Sequence, residues 1–194
     1  DLEAIFRLKT HDLGSIVEIF KKYTESPETI YQRLTNILPT HFNIRDLFFI
    51  RLEHKLGTDK VQLTKELHLN EQQSPHANET HEHYCRRWVS VRMFEELEEE
   101  QEKEMFTGAQ ISVYPYHNNR SYYVISSVTK NPFNPLYLRS VSIGLLLSQA
   151  KKKISFLQGE PDILTKEVAV TCENCGMENC LERVAPNKRF DKNI

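Results

Sequence analysis

Four cysteines constrain the fold of this chain more than any other feature of its sequence. Cys172, Cys175 and Cys180 follow the spacing Cys-x-x-Cys-x-x-x-x-Cys, with Gly176 directly after the second cysteine. A two-residue gap lets two sulfurs turn toward one point, and glycine eases the backbone as it folds beneath a metal. A closed site needs a fourth ligand, and the only other cysteine is Cys85. The pattern therefore predicts a fold that returns Cys85 to the C-terminal cysteines.

Three interpretations of the cysteines stay open on spacing alone. They form a four-cysteine metal site, or they are unrelated buried side chains, or two of them form a redox-active disulfide, which a reducing compartment disfavours. One close pair with two dispersed partners suits an iron–sulfur cluster at least as well as a structural zinc. Cys85 is expected where a helix begins, and a helix N-terminus favours the thiolate that binds metal.

Composition places the chain among ordinary globular domains. It has 194 residues, 39% hydrophobic and 27% charged, which suits one domain, with or without a helical extension. A mean hydropathy of -0.53 and the lack of a long apolar run exclude a membrane span, and the acidic first stretch is no signal peptide. A formal net charge of -2 gives no basic footprint for nucleic acid. We expect a cytoplasmic protein.

The first half of the sequence is mainly helical in pattern. Ser26 and Pro27 predict a helix start, and apolar residues at helical spacing continue to Pro39. The apolar run 47–52 predicts a buried strand, and the polar stretch 65–80 predicts a loop or linker. A long amphipathic helix is expected over 83–103, ending in a run of glutamates.

The second half is mainly strand in pattern. Segments 111–116 and 122–128 flank a turn with asparagine at positive φ, which predicts a hairpin. We expect a further strand over 136–147 and a short helix over 149–157. The predicted class is α+β, with an N-terminal helical segment followed by an antiparallel sheet flanked by helices, as in small-molecule sensor domains.

A second group of metal-binding residue types precedes Cys85. It comprises His68, His76, His81 and His83. These histidines share no face of a regular element, and residues 81–85 lack the H-E-x-x-H spacing of zinc peptidases. A solvated loop is the preferred interpretation. The alternative is a metallopeptidase-related enzyme that uses His76, Glu79 and His81.

Several of these motifs together resemble one bacterial family. The motifs are Cys85-Arg86-Arg87-Trp88, the Val-Ser-Ile-Gly-Leu segment at 141–145, and the cysteine triplet with Arg183 and Pro186. They resemble the C-terminal domain of short-chain fatty-acyl transcriptional regulators. Those proteins join an XRE-type helix-turn-helix, an IrrE-like metallopeptidase-related segment and this cysteine-containing domain. Residues 26–52 are similar to the tail of the IrrE-like segment.

The resemblance implies a non-enzymatic, GAF-like sensor domain with an acyl-coenzyme A pocket. It implies residues 1–70 as the tail of the IrrE-like segment and 71–194 as the sensing domain. A 4Fe–4S cluster, or alternatively zinc, would be held by Cys85, Cys172, Cys175 and Cys180. DNA would be bound only through a helix-turn-helix that is not in this chain, and a homodimer is possible. The alternatives are the metallopeptidase relative and a dimerisation module cross-linked by zinc.

For the effector we expect basic partners of the phosphates and aromatic walls of a pocket. Guanidinium and ammonium groups suit the anionic coenzyme A handle. The candidate residues are Arg87, Arg92, Arg139 and Lys151 to Lys153 for the phosphates, and Trp88, Phe94 and Tyr123 for the walls. The expected place is between the sheet and the long helix.

Overall fold

The computed structural model describes residues 1–69, 82–100, 103–116 and 119–188. Its helices are Leu2–Phe6 (α1), Leu13–Lys21 (α2), Pro27–Phe42 (α3), Val89–Glu99 (α4) and Leu147–Ala150 (α5), with a 3₁₀ helix at Ser155–Leu157. Its strands are Leu47–Lys55 (β1), Val61–His68 (β2), Met105–Tyr114 (β3), Arg120–Lys130 (β4), Tyr137–Leu146 (β5) and Thr165–Glu167 (β6). None of the helices in these residues is long and apolar enough to cross a membrane.

The strands form one sheet in the order β2-β1-β5-β4-β3-β6. All neighbouring strands are antiparallel except β3 and β6, which are parallel, so the sheet is mixed rather than purely antiparallel. The α+β class and the helix-flanked sheet are confirmed. Strand β1 pairs with β5 along its whole length, so the sheet joins strands from both sides of the predicted boundary at residue 70. That boundary stays a prediction.

Alternate side chains of the sheet enter two separate cores. Helices α1–α3 cover one face, where Phe49, Ile143 and Leu145 are buried. Helix α4 covers the other face, where Ile50 and Val124 are buried. Because the side-chain period of a strand is two, neighbouring residues of β1 such as Phe49 and Ile50 enter different cores. The apolar run at 47–52 therefore has to be hydrophobic on both faces.

Helix α3 begins as predicted but ends later. The Ser26 side chain accepts a hydrogen bond from the Thr29 N–H at 3.4 Å, which confirms the predicted cap. The expected end at Pro39 is wrong, because the helix continues to Phe42. Phe42 packs edge-on against Phe6, with ring centroids 4.6 Å apart, so packing of the last turn outweighs the cost of an internal proline.

The helix expected over 83–103 is much shorter in the structure, at Val89–Glu99. Its beginning is displaced because residues 83–85 are held extended against residues 170–172, through a bridge between Tyr84 and Thr171. At its C-terminal end, glutamates oppose both one another and the helix dipole, which limits extension. The acidic run therefore begins in the last turns of α4 and continues past its end at Glu99.

Two other sequence expectations need correction. The loop expected over 65–80 begins later, because β2 continues to His68 as an edge strand whose charged side chains hide its pattern; residues 70–80 lie outside the described residues. The helix expected over 149–157 is divided into α5 and the 3₁₀ helix. Ile154 and Phe156 are both buried, and residues two apart point away from each other on a continuous α-helix.

The strand at 136–147 and the hairpin of β3 and β4 are confirmed. Asn119 has φ of 48°, as the turn prediction requires.

Candidate metal centre

The four cysteines line the wall of one cavity, together with Arg86 and Arg87. Hydrogen bonds between the two chain segments bring them there. The Cys85 N–H donates to the Val170 carbonyl at 3.1 Å, and the Cys172 N–H donates to the His83 carbonyl at 2.8 Å. All four side chains are free thiols, three of them buried and Cys180 half-buried. The fold thus returns Cys85 to the C-terminal cysteines, as the spacing predicts.

Backbone hydrogen bonds reach three of the four sulfurs. Such bonds stabilise the negative charge of a thiolate and recur around metal–thiolate centres. The donors are Ala169 and Arg87 for Cys85, Val184 and Ala185 for Cys172, and Met177, at 3.4 Å, for Cys175. The surroundings of these sulfurs therefore differ from those of cysteines buried only among apolar groups.

Burial nevertheless favours the protonated thiol at Cys85 and Cys172. It raises the pKa of Cys85 to about 11, with smaller contributions from Cys172 and Cys175, and the backbone hydrogen bonds only partly oppose it. Burial also raises the pKa of Cys172. The expectation that a helix N-terminus favours the Cys85 thiolate is wrong, because α4 begins only at Val89. A metal cation is the kind of partner that removes protons from such buried thiols.

Four thiols are suitable ligands for a metal, but their side chains are not yet arranged to bind one. Within the described ranges, no three Cys, His, Asp or Glu side chains are already placed to bind a metal ion. The cavity volume is about 10 Å³, close to one water-sized group. Metal binding therefore requires the four thiols to turn toward the cavity. An iron–sulfur cluster is larger than a zinc ion, so it also requires a larger outward movement of residues 172–180, the cysteine loop.

The cysteine loop is supported by side chains that bond to its backbone. The Arg183 guanidinium donates to the Cys172 carbonyl at 2.8 Å and also to the Met177 carbonyl. The Asn187 amide donates to the Cys175 carbonyl. Arg183 appears in the sequence resemblance, but nothing in the sequence pattern indicates Asn187. Together these two residues connect residues 183–187 to the loop that carries the cysteines.

Gly176 has a different role from the one that its position suggests. Its φ is not in the left-handed region, where the positive-φ glycines are Gly57 and Gly159. Instead, the Tyr116 ring packs against it, and a Cβ at Gly176 would lie 2.5 Å from that ring. Close approach of an aromatic side chain, rather than backbone conformation, requires glycine here.

Two carboxylates fix the segment that leads into Cys85. Glu173 accepts from the His83 N–H at 3.0 Å and lies 2.7 Å from His83 Nδ1. Burial opposes ionisation of Glu82, but hydrogen bonds from Lys188, Thr171 and Asn174 outweigh it and lower the pKa of this carboxyl. These contacts hold the two segments of the candidate centre together.

Of the four histidines that precede Cys85, His68 and His83 lie within the described residues, and each pairs with a different glutamate. His68 pairs with Glu66 on β2, and His83 pairs with Glu173. His76, Glu79 and His81 lie outside the described residues, so the peptidase-type site stays a prediction.

The predicted effector-binding residues are spread over both faces of the sheet. Trp88 and Phe94 are buried in the core beneath α4, whereas Tyr123 is buried in the core beneath α1–α3. The sheet therefore separates Tyr123 from Trp88 and Phe94.

The three predicted arginine partners already form polar contacts within the protein. Arg87 donates to the Glu167 carbonyl at 2.7 Å, and Arg92 pairs with Glu96 at 3.2 Å on the surface of α4. Arg139 lies 3.0 Å from Glu53 and 3.6 Å from Glu28, so it links the sheet to α3. Lys151, Lys152 and Lys153 form the turn that follows α5. The assignment of these residues to a ligand stays a prediction.

Two further concavities are relevant to ligand binding. An apolar cavity of about 30 Å³ lies between α1–α3 and the sheet, and Tyr123 is part of its wall. An open cleft of about 590 Å³ lies between the β1–β2 turn and residues 82–86, with Lys60 and Arg86 in its lining. Arg86 also lines the cavity of the cysteines.

Comparison with known proteins adds a likeness in fold. No protein-family model matches the chain, and no curated protein matches its sequence. Among solved structures, a Mycobacterium tuberculosis transcriptional regulator superposes with a TM-score of 0.62 and 18% sequence identity. The match covers 96% of this chain and 51% of the regulator, so this chain spans about half of that structure. At this identity, the likeness shows a shared fold.

Proposed function

We propose that this chain is the non-enzymatic effector-sensing part of a transcription regulator. We also propose that a metal bound by Cys85, Cys172, Cys175 and Cys180 stabilises its fold. The convergence of four thiols from two distant segments on one cavity wall carries this proposal. Backbone hydrogen bonds to three of the sulfurs support it. The fold shared with a transcriptional regulator supports the regulatory part. DNA would be bound by a helix-turn-helix outside this chain.

The metal would cross-link parts of the chain that have few other regular contacts. Residues 168–188 contain no helix and no strand, and they meet residues 82–88 through hydrogen bonds and one isolated bridge. Closing a long loop between Cys85 and Cys172 has an entropic cost that metal binding offsets. A 4Fe–4S cluster would add redox sensitivity, whereas zinc would act as a structural cross-link alone.

Metal analysis of anaerobically purified protein tests the centre. We expect either iron with sulfide and broad visible absorption, or one tightly bound zinc, and loss of either in Cys85→Ala. Met177→Leu is the matched control, because Met177 lines the same cavity with a sulfur that is not a thiol. Absence of both metals from the wild-type protein, after reconstitution as well, would contradict the proposal.

The proposed effector is a short-chain acyl-coenzyme A. The apolar cavity beneath α1–α3 supports it, because its size suits a small aliphatic group. Isothermal titration of metal-loaded protein with propionyl-coenzyme A tests this part, with coenzyme A alone as reference. A regulator predicts saturable binding. A dimerisation module cross-linked by metal predicts a dimer that binds neither compound.

A further inference from the structure

We propose that Arg87 is a positioning residue of the metal centre. Its guanidinium offsets the negative charge of the four thiolates and joins the two chain segments that carry them. This role rests on the proposed function, since it concerns the same centre. The sequence predicts Arg87 as a phosphate partner of an effector, whereas its contacts in the structure are with the surroundings of the cysteines.

Arg87 contacts both segments of the centre. Its backbone N–H donates to the sulfur of Cys85. Its guanidinium Nη1 lies 3.9 Å from the Met177 sulfur. The Met177 N–H in turn donates to the Cys175 sulfur at 3.4 Å. Arg87 therefore reaches one thiol directly and a second thiol, from the cysteine loop, through Met177.

Two further hydrogen bonds fix Arg87 to the sheet. Its Nε donates to the carbonyl of Glu167, the last residue of β6, at 2.7 Å. Its own carbonyl accepts from the side-chain amide of Gln110 on β3 at 3.1 Å, and Gln110 is fully buried. The Arg87 side chain is only 24% exposed. Because both its backbone and its side chain are held, the guanidinium has a defined place beside the cysteine loop.

The charges around the cysteines have the sign that a thiolate centre needs. Among the described residues, three arginines and two glutamates line the cavity: Arg86, Arg87, Arg183, Glu167 and Glu182. Four thiolates around a divalent cation or an iron–sulfur cluster carry an excess of negative charge. Burying such a group is costly unless opposite charge lies close to it. The arginines can supply that charge.

Two of the three arginines have other roles. Arg86 donates to the Asp59 carbonyl at 3.0 Å and lies 3.6 Å from the Asp59 carboxylate, so its charge is directed toward the β1–β2 turn. Arg183 donates to two backbone carbonyls of the cysteine loop. Its removal would disturb the backbone as well as the charge.

Arg87 is better suited to act through its charge. Its contact with a carboxylate is long, at 4.0 Å from Glu182. Glu182 also pairs with Lys166, at 3.2 Å, so its negative charge is shared between two cations. Much of the Arg87 charge is therefore left for the thiolates.

The first test removes the charge and measures zinc affinity in the full chain. Zinc alone is the probe, in competition with a colorimetric chelator. Arg87→Met should weaken zinc binding roughly tenfold, the low end of what loss of a contact to a metal ligand costs. Arg87→Lys keeps the charge and should recover most of the affinity. Arg92→Met is the matched control, because Arg92 pairs with Glu96 on the surface of α4 and should leave the affinity unchanged.

The second test should change the affinity in the opposite direction. Glu182→Gln removes a negative charge from the lining and should tighten zinc binding about two- to fivefold, as expected for a partly exposed charge. A purely structural network predicts weaker binding instead, because the contacts of Glu182 with Arg87 and Lys166 are lost. Glu3→Gln is the control, since Glu3 lies on α1, on the other face of the sheet.

Thermal unfolding of the metal-free variants separates charge from folding, and Arg87→Gln replaces Arg87→Met should the latter not fold. Equal loss of zinc affinity in Arg87→Met and Arg87→Lys would overturn the charge role. Weaker binding in Glu182→Gln would overturn it as well, and both results would retain the metal centre. A wild-type chain that takes up no zinc would instead contradict the four-thiol centre itself, and the role of Arg87 with it.

Discussion

The core beneath α1–α3 and the cysteine region are held together by different forces. In the core, Ile16, Phe49 and Leu38 are each at most 2% exposed and pack between regular helices and strands. In the cysteine region, residues 168–188 have no helix or strand and are fixed by hydrogen bonds to backbone carbonyls. Hydrophobic burial stabilises the first region by itself. The second combines polar contacts with thiols suited to a metal, so its order should depend on the metal.

The largest expected effect is in the core. Phe49→Ala should lower the free energy of unfolding by about 3–5 kcal/mol, because it leaves a void where the side chain is fully buried. Urea denaturation of the metal-loaded protein measures it. Phe133→Ala is the control, since Phe133 is 87% exposed and should change stability by less than about 0.5 kcal/mol. Equal effects of the two variants would remove the contrast between core and surface.

A smaller effect is expected when the support of the cysteine loop is removed. Arg183→Ala leaves two carbonyls without their guanidinium donor and should cost about 1.5–3 kcal/mol. Arg92→Ala breaks only a surface pair with Glu96 and should cost about 0.5 kcal/mol or less. Thermal unfolding and metal content are measured on both. If Arg183→Ala matches the control in both measurements, polar contacts do not stabilise this region.

Two glycine substitutions should have opposite signs in the two regions. Gly176→Ala should destabilise the protein by about 1 kcal/mol, because its Cβ meets the Tyr116 ring, which is 39% exposed and has to shift. Gly14→Ala, within helix α2, meets only an Asp12 oxygen at 3.4 Å and should stabilise by about 0.5 kcal/mol. Tyr116→Ala should cancel the cost of Gly176→Ala. Persistence of that cost in the double variant would contradict the steric explanation.

Features with a local chemical signal could be predicted from the sequence, and features set by distant partners could not. The cap at Ser26 and the hairpin turn at Asn119 depend on neighbouring residues, so their patterns were sufficient. The start of α4 depends on pairing between residues 83–85 and 170–172, which no local pattern indicates. Edge strand β2 has charged residues where a buried strand would have apolar ones.

The candidate site also has features that the sequence indicates and features that depend on distant partners. The cysteine spacing indicated which side chains would meet, because few thiols were available to choose from. The supports at Arg183 and Asn187 bond to backbone carbonyls, and carbonyls are present at every position of a sequence. Placing Tyr123 and Phe94 on opposite faces requires the sheet register, which composition does not determine.

The smallest effects separate the two regions by pH. Burial lowers the pKa of His11, although the charges of Asp12 and Asp162 oppose this shift. His11 therefore binds a proton more readily in the unfolded chain than in the folded chain. Stability from this group is present above about pH 6.5 and falls as the pH drops below it. The pKa of Glu82 is also lowered, so the stability that this carboxylate contributes is present above about pH 4.3 and falls only in more acidic solution.

The stability of the two variants as a function of pH tests this difference. His11→Gln should differ from wild type mainly between about pH 5 and 7, and Glu82→Gln mainly below about pH 4.5. If both variants changed the same interval, the two regions would not titrate independently, and the contrast between them would not extend to their electrostatics.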